Sequence, residues 1–425
     1  MTSVRDRRVD EVAEAIGSRR LIWFGIRGED GRMLEALPQF AASYSITAPL
    51  VASGLDESLA LENLSKHRVE LDTYDIDFDH DPTVDEFRQH LLAAMSQPSV
   101  VVSYRPSEFI SMLGFATRHI CWNPGMFKDR QRAFEHKPWV ETEIESVGVR
   151  TLGWEYLPRE RRLRLALKPT GDGLVLRPNR TSGGVGISLV QTRDEAEHAW
   201  KDDQSQLMGV AKYLADAVPL NVNGCVFRDG SVRLHPASVQ LIGIPSLTSH
   251  PFGYCGNDFS ALRHLAAGQM EALDQMARQV GGWLASQGYI GAFGADFLVD
   301  ASGLYFAEVN ARMQGSTRMA ADLAARTGHL DLLLEHVAAV IGLRPSEDLS
   351  LSYWADALPP SAQVIHHNLS ETPVPAVSNR DLDLPRGDRA TLLAGPGVVV
   401  EPGAVSYVVE VRRAVTSTGF NLLDQ

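Results

Sequence analysis

The chain has 425 residues, 44% hydrophobic and 22% charged, with a formal net charge of −13 and three cysteines. That length exceeds one ordinary core, so two to three domains are expected, and the acidic balance disfavours nonspecific nucleic-acid binding, which needs a basic surface. No apolar run reaches the roughly 18 residues of a membrane span; the charged opening "MTSVRDRRVDEVAEAIGSRR" is not a secretory signal; and the scattered Cys121, Cys225 and Cys255 suit a reducing cytoplasm, without disulfides or a zinc site.

Taken in chain order, the apolar run Leu21 to Phe24, then glycines, then a helical pattern read as strand, loop and helix, and Ser99 to Arg105 ("SVVVSYR") reads as another buried strand. The first 125 residues are therefore expected to form a small α/β domain. Gly25, Gly28 and Gly31 do not spell G-x-G-x-x-G, so no cofactor is assigned there. A helix is expected from about Pro138 to Ser146, ending at Gly148. The basic stretch "PRERRLRLALK" from Pro158 reads as a solvated face. Leu174 to Leu176 and Ile187 to Val190 read as short strands around a glycine-rich turn, and Thr192 with Glu195 as a capping box opening a helix through Trp200. Asp229-Gly230 marks a hairpin. Gln269 to Gln287 carries Met270, Leu273, Met276, Ala277, Val280 and Leu284 at helical spacing, a core-facing stripe. A strand pair spans Phe293 to Ala311, followed by helices to about Gly342. From Arg344 prolines and Pro-Gly turns take over, which predicts a separate β-rich tail. The expected division is 1–125, 126–345 (in halves 126–208 and 209–345) and 346–425.

The segment "FAEVNARMQGST", Phe306 to Thr317, sets Glu308, Asn310 and Arg312 at alternate positions, on one face of a strand. Upstream, Asp300-Ala301-Ser302-Gly303 joins two apolar runs. A three-residue loop would pair residue 300 with 304, and so set Asp296 opposite Glu308, about 5 Å apart at Cβ. Two carboxylates and a carboxamide oxygen are hard ligands of the kind Mg²⁺ takes, and two like charges so close need a cation between them. Asp, Asn and Glu are poor strand formers, so their concentration here points to function.

"LRPNRTSGGVGISLV", Leu176 to Val190, holds Gly183, Gly184 and Gly186 between strands. Backbone N–H groups in such a turn can curl over phosphates. No Walker A sequence is present, and Arg177 just ahead is a fixed cation fit to pair with phosphate oxygens. Among weaker candidates, Asp258 reads as a loop cap. His235, His250 and His264 are too widely spaced for a helix-borne metal pair, and the adjacent His366 and His367 would point oppositely in a strand.

Lys137 with Gly148 on the entry helix, Arg177 before "TSGGVG", Asp296, and "EVNARMQGS" together resemble the ATP-grasp superfamily over about residues 126 to 340. "SVQLIG" and "GYCGNDF" make the chain similar, more narrowly, to the pheganomycin-type peptide ligases of peptide natural-product assembly. The resemblance implies an α/β (α+β) ATP-grasp fold behind the N-terminal α/β domain, with ATP and one or two Mg²⁺ ions as cofactors. Lys137 and Arg177 would hold the phosphates, with the amides of Ser182, Gly183, Gly184 and Gly186 closing over them. Met208 to Tyr213, with Lys212 and Tyr213, would be the hinge that meets adenine. That hinge lacks an acidic residue for the ribose, for which Asn221 or Asn223 would substitute. Asp296, Glu308 and Asn310 would bind the metal, and Arg312 would face the transferred phosphoryl group.

The implied reaction is ATP-dependent joining of a small-molecule acid to an amine or short peptide through an acyl phosphate. The alternatives are an ATP-binding regulatory module, a metal-dependent hydrolase, and a kinase or carboxylating enzyme of the same superfamily. The acidic surface leans toward a cationic substrate, and a homodimer is the base-rate expectation.

Overall fold

The computed structural model describes residues 3–50, 52–68, 76, 81–105, 107, 109–112, 120–122, 126, 128–158, 173–179, 183–201, 207–376 and 381–423. The N-terminal part contains α1 (Val4–Ile16), β1 (Arg20–Arg27), β2 (Phe40–Thr47), β3 (Glu57–Ala60), α2 (Leu61–Ser65), α3 (Pro82–Met95), β4 (Ser99–Ser103) and β5 (Cys121–Trp122). The five strands form a parallel sheet in the order β3-β2-β1-β4-β5. Leu21, Ile22, Trp23 and Phe24 are all buried, as both faces of a parallel sheet require. After β1 a 3₁₀ helix, Gly28–Ala36, takes the place of the expected α-helix; two glycines in so short a segment withdraw helix propensity.

Next come α4 (Lys128–Ala133) and α5 (Lys137–Ser146), the latter with Pro138 in its first turn. A small antiparallel sheet follows in the order β6-β9-β7-β8, made of β6 (Glu155–Pro158), β7 (Leu174–Pro178), β8 (Ser188–Val190) and β9 (Leu207–Lys212). The expected capping box opens α6 (Arg193–Lys201): the Glu195 amide donates to Thr192 Oγ1, and the Thr192 amide to Glu195 Oε2, both at 3.2 Å.

The large sheet begins with β10 (Val218–Val226), β11 (Val232–Ile242) and β12 (Tyr254–Asp258). It continues through β13 (Gly291–Asp300) and β14 (Gly303–Asn310). The helix α7 (Ala267–Ser286) buries Met270, Leu273, Ala277, Val280 and Leu284 against it. Then follow α8 (Thr317–Arg326), α9 (Leu332–Ile341) and α10 (Leu351–Ala357). No helix is long and apolar enough to cross a membrane among the described residues.

The tail, expected as a separate unit, is joined to this sheet. Its strands β15 (Ala362–His367), β17 (Asp381–Asp383), β18 (Arg389–Leu392) and β20 (Val405–Val411) extend the order to β14-β13-β10-β11-β12-β15-β20-β18-β17. Only the short β16 (Val374–Pro375) and β19 (Val399–Val400) pair apart. The reason is the free edge of β12, which β15 satisfies by antiparallel pairing. Asp258, fully buried at the end of β12, strengthens the join. Its Oδ1 accepts from the amides of Ser260 (2.8 Å) and Ala261 (3.1 Å), and its Oδ2 from those of Val415 (2.6 Å) and Thr416 (3.2 Å).

The N-terminal part is also joined to the centre. α9 packs Leu332, Leu333 and Val337 into the cluster holding Val12, Leu21 and Trp23. Two ion pairs, the buried Arg8–Glu335 and the part-buried Arg5–Asp331, each at 3.0 Å, fix its register on α1. Between the two central sheets, roofed by the ends of β1 and β4, lies a cavity of about 760 Å³.

Candidate active site

The hairpin β13–β14 supplies the centre of that cavity. Its turn is tighter than the sequence suggested: Asp300 pairs with Gly303, and Phe297 with Phe306. Continued without interruption, that register would set Asp296 against Ala307. A bulge at Ala307 adds one residue to β14, so that Asp296 meets Glu308 and Gly294 meets Asn310. The bulge also switches faces. Leu304 and Phe306 point into the core before it, and Val309 and Ala311 after it, leaving Ala307, Glu308, Asn310 and Arg312 all lining the cavity. Asp296 therefore stands opposite Glu308 as expected, but by a two-residue turn and a bulge rather than a three-residue loop. The odd spacing of Phe306 and Val309, two core residues three apart, is the sequence signal for it.

The two carboxylates are not equivalent. Burial and the neighbouring Glu308 charge push Asp296 up to about 7, against the hydrogen bond from Asn221 and the charges of Lys137 and Arg312. Burial acts on Glu308 in the same direction, yet Lys137, Arg177 and Arg312 bring its pKa below the usual carboxylate value. Lys137, buried at the start of α5, forms an ion pair with Glu308. It does not itself line the cavity, and its own pKa is lowered by burial against the pull of Glu308.

Arg177, at the end of β7, is buried and held on three sides. It pairs with Glu141 of α5, donates to the Tyr156 hydroxyl at 2.8 Å, and donates to the carbonyl of the bulge residue Ala307 at 3.3 Å. The Tyr156 hydroxyl donates in turn to Glu141 at 2.9 Å, and the guanidinium stacks 3.7 Å over the Trp154 ring. Burial pushes Arg177 down to about 9, which leaves it charged at neutral pH. Arg312 donates to the Met313 carbonyl at 2.9 Å and faces Glu135 at 3.6 Å.

Beneath the carboxylates lies an amide network that the sequence did not reveal. Asn221 donates to Asp296 at 2.6 Å and to Gln314 at 2.9 Å, and Gln240 donates to Asp296 at 3.2 Å. Gln314 donates back to Asn221 at 3.0 Å and to Asn223 at 3.2 Å. A Cβ at Gly294 would lie 1.9 Å from the Gln314 carboxamide oxygen, so this close approach requires glycine. Asn221 and Asn223, expected at a ribose, are thus bonded within the network that carries Asp296.

At the other end, β9 runs into the hinge, and Lys212 and Tyr213 line the cavity with Val175, Leu214 and Leu298. Gly183 and Gly184 of the glycine turn line it too, whereas Gly186 does not; Ser182 lies outside the described residues, as does most of the basic stretch after Pro158. The turn rests on the segment before β12. Gly184 has φ +81°, and a Cβ there would fall 1.8 Å from the Phe252 carbonyl oxygen. His235 takes no part: it is buried against Trp354, its imidazole pushed down to about 3 by burial.

Among the described residues no group of three or more His, Cys, Asp and Glu side chains could hold a metal ion. Asp296, Glu308 and Asn310 offer instead two carboxylates and a carboxamide. An incomplete hard-oxygen set beside a large polar cavity fits Mg²⁺, which fills its remaining positions with water and phosphate oxygens.

Residues 157–316 match the ATP-grasp domain family. A formate-dependent phosphoribosylglycinamide formyltransferase of Bacteroides thetaiotaomicron is 26% identical over 204 residues, which are 47% of this chain and 49% of that protein. The enzyme of the same name from Chlorobium phaeobacteroides is 27% identical over the same shares. The chain thus spans about half the length of the curated relatives it matches. In structure it is similar to biotin carboxylase from Campylobacter jejuni in a βγ-ATP complex, with TM-score 0.66, 16% identity, and 95% of this chain and 90% of that one covered. It is also similar to N5-carboxyaminoimidazole synthase from Aspergillus clavatus with ADP and 5-aminoimidazole ribonucleotide, with TM-score 0.59, 14% identity and coverages of 93% and 94%. The fold is that of ATP-grasp proteins.

Proposed function

We propose that the chain is an ADP-forming ligase that uses ATP to join a carboxylate to an amine, forming a C–N bond. The observation that carries this reading is the Asp296–Glu308 pair, set face to face by the bulge between a glycine turn and a buried arginine. Asp296, Glu308 and Asn310 would hold Mg²⁺, which when bound supplies charge neutralisation on the nucleotide phosphates. Lys137 keeps Glu308 ionised. Arg177, fixed by Glu141, Tyr156 and Trp154, presents a preorganised cation to phosphate oxygens. Lys212 and Tyr213 would meet the base, and the turn at Gly183 and Gly184 would close over the phosphates and keep water out.

A carboxylate is a poor electrophile because its leaving group would be oxide. Its oxygen attacks the γ-phosphorus, the bond to the β-phosphate oxygen breaks, and ADP leaves. The amine nitrogen then attacks the acyl carbon, the C–O bond to phosphate breaks, and the amine proton passes to solvent or the released phosphate. Arg312, at the end of the metal-bearing strand, is placed to neutralise charge on the transferred group and on the tetrahedral oxyanion.

The narrower expectation, peptide joining in natural-product assembly, rests on "SVQLIG" and "GYCGNDF" alone. The relatives found carry names of formyl and carboxyl transfer, which favours a one-carbon acid as a second reading. Incubating the chain with Mg²⁺, ATP and a panel of amino acids, short peptides, formate and bicarbonate, each with candidate amines, tests both. ADP release with an amide of the matching mass supports the reading, and hydroxylamine should capture the activated acid as a hydroxamate. Turnover that needs no ATP would contradict it.

A further inference from the structure

The parallel sheet reverses its order at β1: β2 and β3 lie on one side, β4 and β5 on the other. Open parallel sheets hold ligands in the crevice that such a reversal leaves beyond the C-terminal strand ends. Here the crevice opens into the cavity already described. Arg27 ends β1, Thr47 ends β2, Tyr104 and Arg105 follow β4 directly, and all line the same cavity as Asp296 and Glu308.

Tyr104 is 6% exposed, and its hydroxyl makes no hydrogen bond among the described residues. The oxygen is open to the cavity, so it can donate to a bound ligand in place of water. Burial pushes its pKa above the ordinary phenol value and Asp30 adds to this, against the charges of the surrounding guanidinium groups of Arg312, Arg105 and Arg27, so it stays a neutral donor. Asp30 orients Arg27: its Oδ2 accepts from Nε at 3.3 Å and its Oδ1 faces Nη2 as an ion pair at 3.0 Å, which leaves Nη1 without a partner among the described residues. Arg105 faces Glu135 at 3.3 Å. Farther along the wall, Arg68 pairs with Glu62 at 2.8 Å. A guanidinium fixed from behind, with a neutral hydroxyl open to the same cavity, is a receptor for the oxygens of an anion. The net charge of −13 leans toward a cationic substrate only when averaged over the surface; the local lining reverses that lean.

We propose that this crevice is the specificity site for the second substrate, and that this substrate carries a carboxylate or phosphate group, remote from its reacting atom, received by Arg27 and the Tyr104 hydroxyl. The proposal rests on the ligase reading for what happens at the other end of the molecule, but not for the binding itself.

Calorimetric titration of the full chain with inorganic phosphate and with acetate tests it. Each titration is run with and without saturating Mg²⁺ and the non-hydrolysable analogue AMPPNP, which would fill the γ-phosphate position. With the analogue bound, at least one anion should still bind. Arg27→Ala should weaken that binding by about tenfold or more, the scale of a charge-assisted bond, and Arg27→Lys should recover part of it. Tyr104→Phe, which removes only an oxygen, should cost about three- to tenfold. Neither change should alter analogue affinity. Binding of phosphate alone marks a phosphorylated substrate; binding of acetate marks a carboxylate. Anion binding that is absent, or equal in wild type, Arg27→Lys and Tyr104→Phe, overturns the proposal. If the analogue fails to bind while the anion titration still responds to Tyr104→Phe, the ligase reading falls and this site stands.

Discussion

The two walls of the cavity are built in different ways. The carboxylate wall comes from one hairpin, and both of its carboxylates are held by other side chains: Asp296 by Asn221 and Gln240, Glu308 by Lys137. The wall at the ends of β1 and β4 comes from segments far apart in the chain, and keeps the Tyr104 hydroxyl without a hydrogen bond among the described residues. Over-determined geometry suits a centre that must hold one charge arrangement through a reaction. Open donors suit a surface that chooses a ligand. The first wall should therefore govern rate, and the second affinity for one substrate.

The largest effects are expected at the hairpin. Glu308→Gln or Asn310→Ala should abolish turnover and Mg²⁺-dependent nucleotide binding, with far-ultraviolet circular dichroism unchanged. Normal ATP use by either variant would remove the hairpin from the account. Arg312→Ala should lower kcat by about 100-fold or more, on the scale of losing an oxyanion donor, and leave nucleotide binding intact in a single-turnover assay. Gly294→Ala tests the support beneath the carboxylates. Its Cβ must displace Gln314 from its bonds to Asn221 and Asn223, which should cost about 1–3 kcal/mol in denaturant unfolding and weaken magnesium dependence.

The smallest expected effect is in pH. Because the folded pKa of Asp296 is raised to about 7, the carboxyl contributes stability below its unfolded value that is lost as pH rises through about 7. Without metal, the melting temperature of Asp296→Asn should therefore gain on wild type between about pH 4 and about pH 7. Mg²⁺, which binds the ionised form, should raise the wild-type melting temperature most at the upper end and do little for the variant.

The hairpin was legible because its chemistry is local. Alternation put Glu308, Asn310 and Arg312 on one face, and a turn signal a few residues upstream placed Asp296 opposite. Even there the register came out through a bulge, whose trace is the apolar spacing of Phe306 and Val309. The capping box at Thr192 and the stripe of Met270 to Leu284 were legible for the same reason. What escaped depends on distant pairings. Gln314 reaches Asn221 and Asn223 across the turn after β14, Arg27 and Tyr104 meet only when β1 and β4 lie side by side, and the tail joins β12 because that strand has a free edge. Pro-Gly turns report where a strand stops, not which edge it will find. The net charge says little about the cavity for a related reason: it averages a surface, whereas the cavity is lined by arginines whose partners come from elsewhere in the chain.

The proposed function requires the bulged hairpin to be a magnesium and nucleotide site. A crystal structure of the chain with Mg²⁺ and AMPPNP tests it most directly. A metal should lie about 2.1 Å from oxygens of Asp296, Glu308 and Asn310, with the γ-phosphate between Arg177 and Arg312. A nucleotide seated elsewhere, or a metal that none of these three side chains touches, would contradict it.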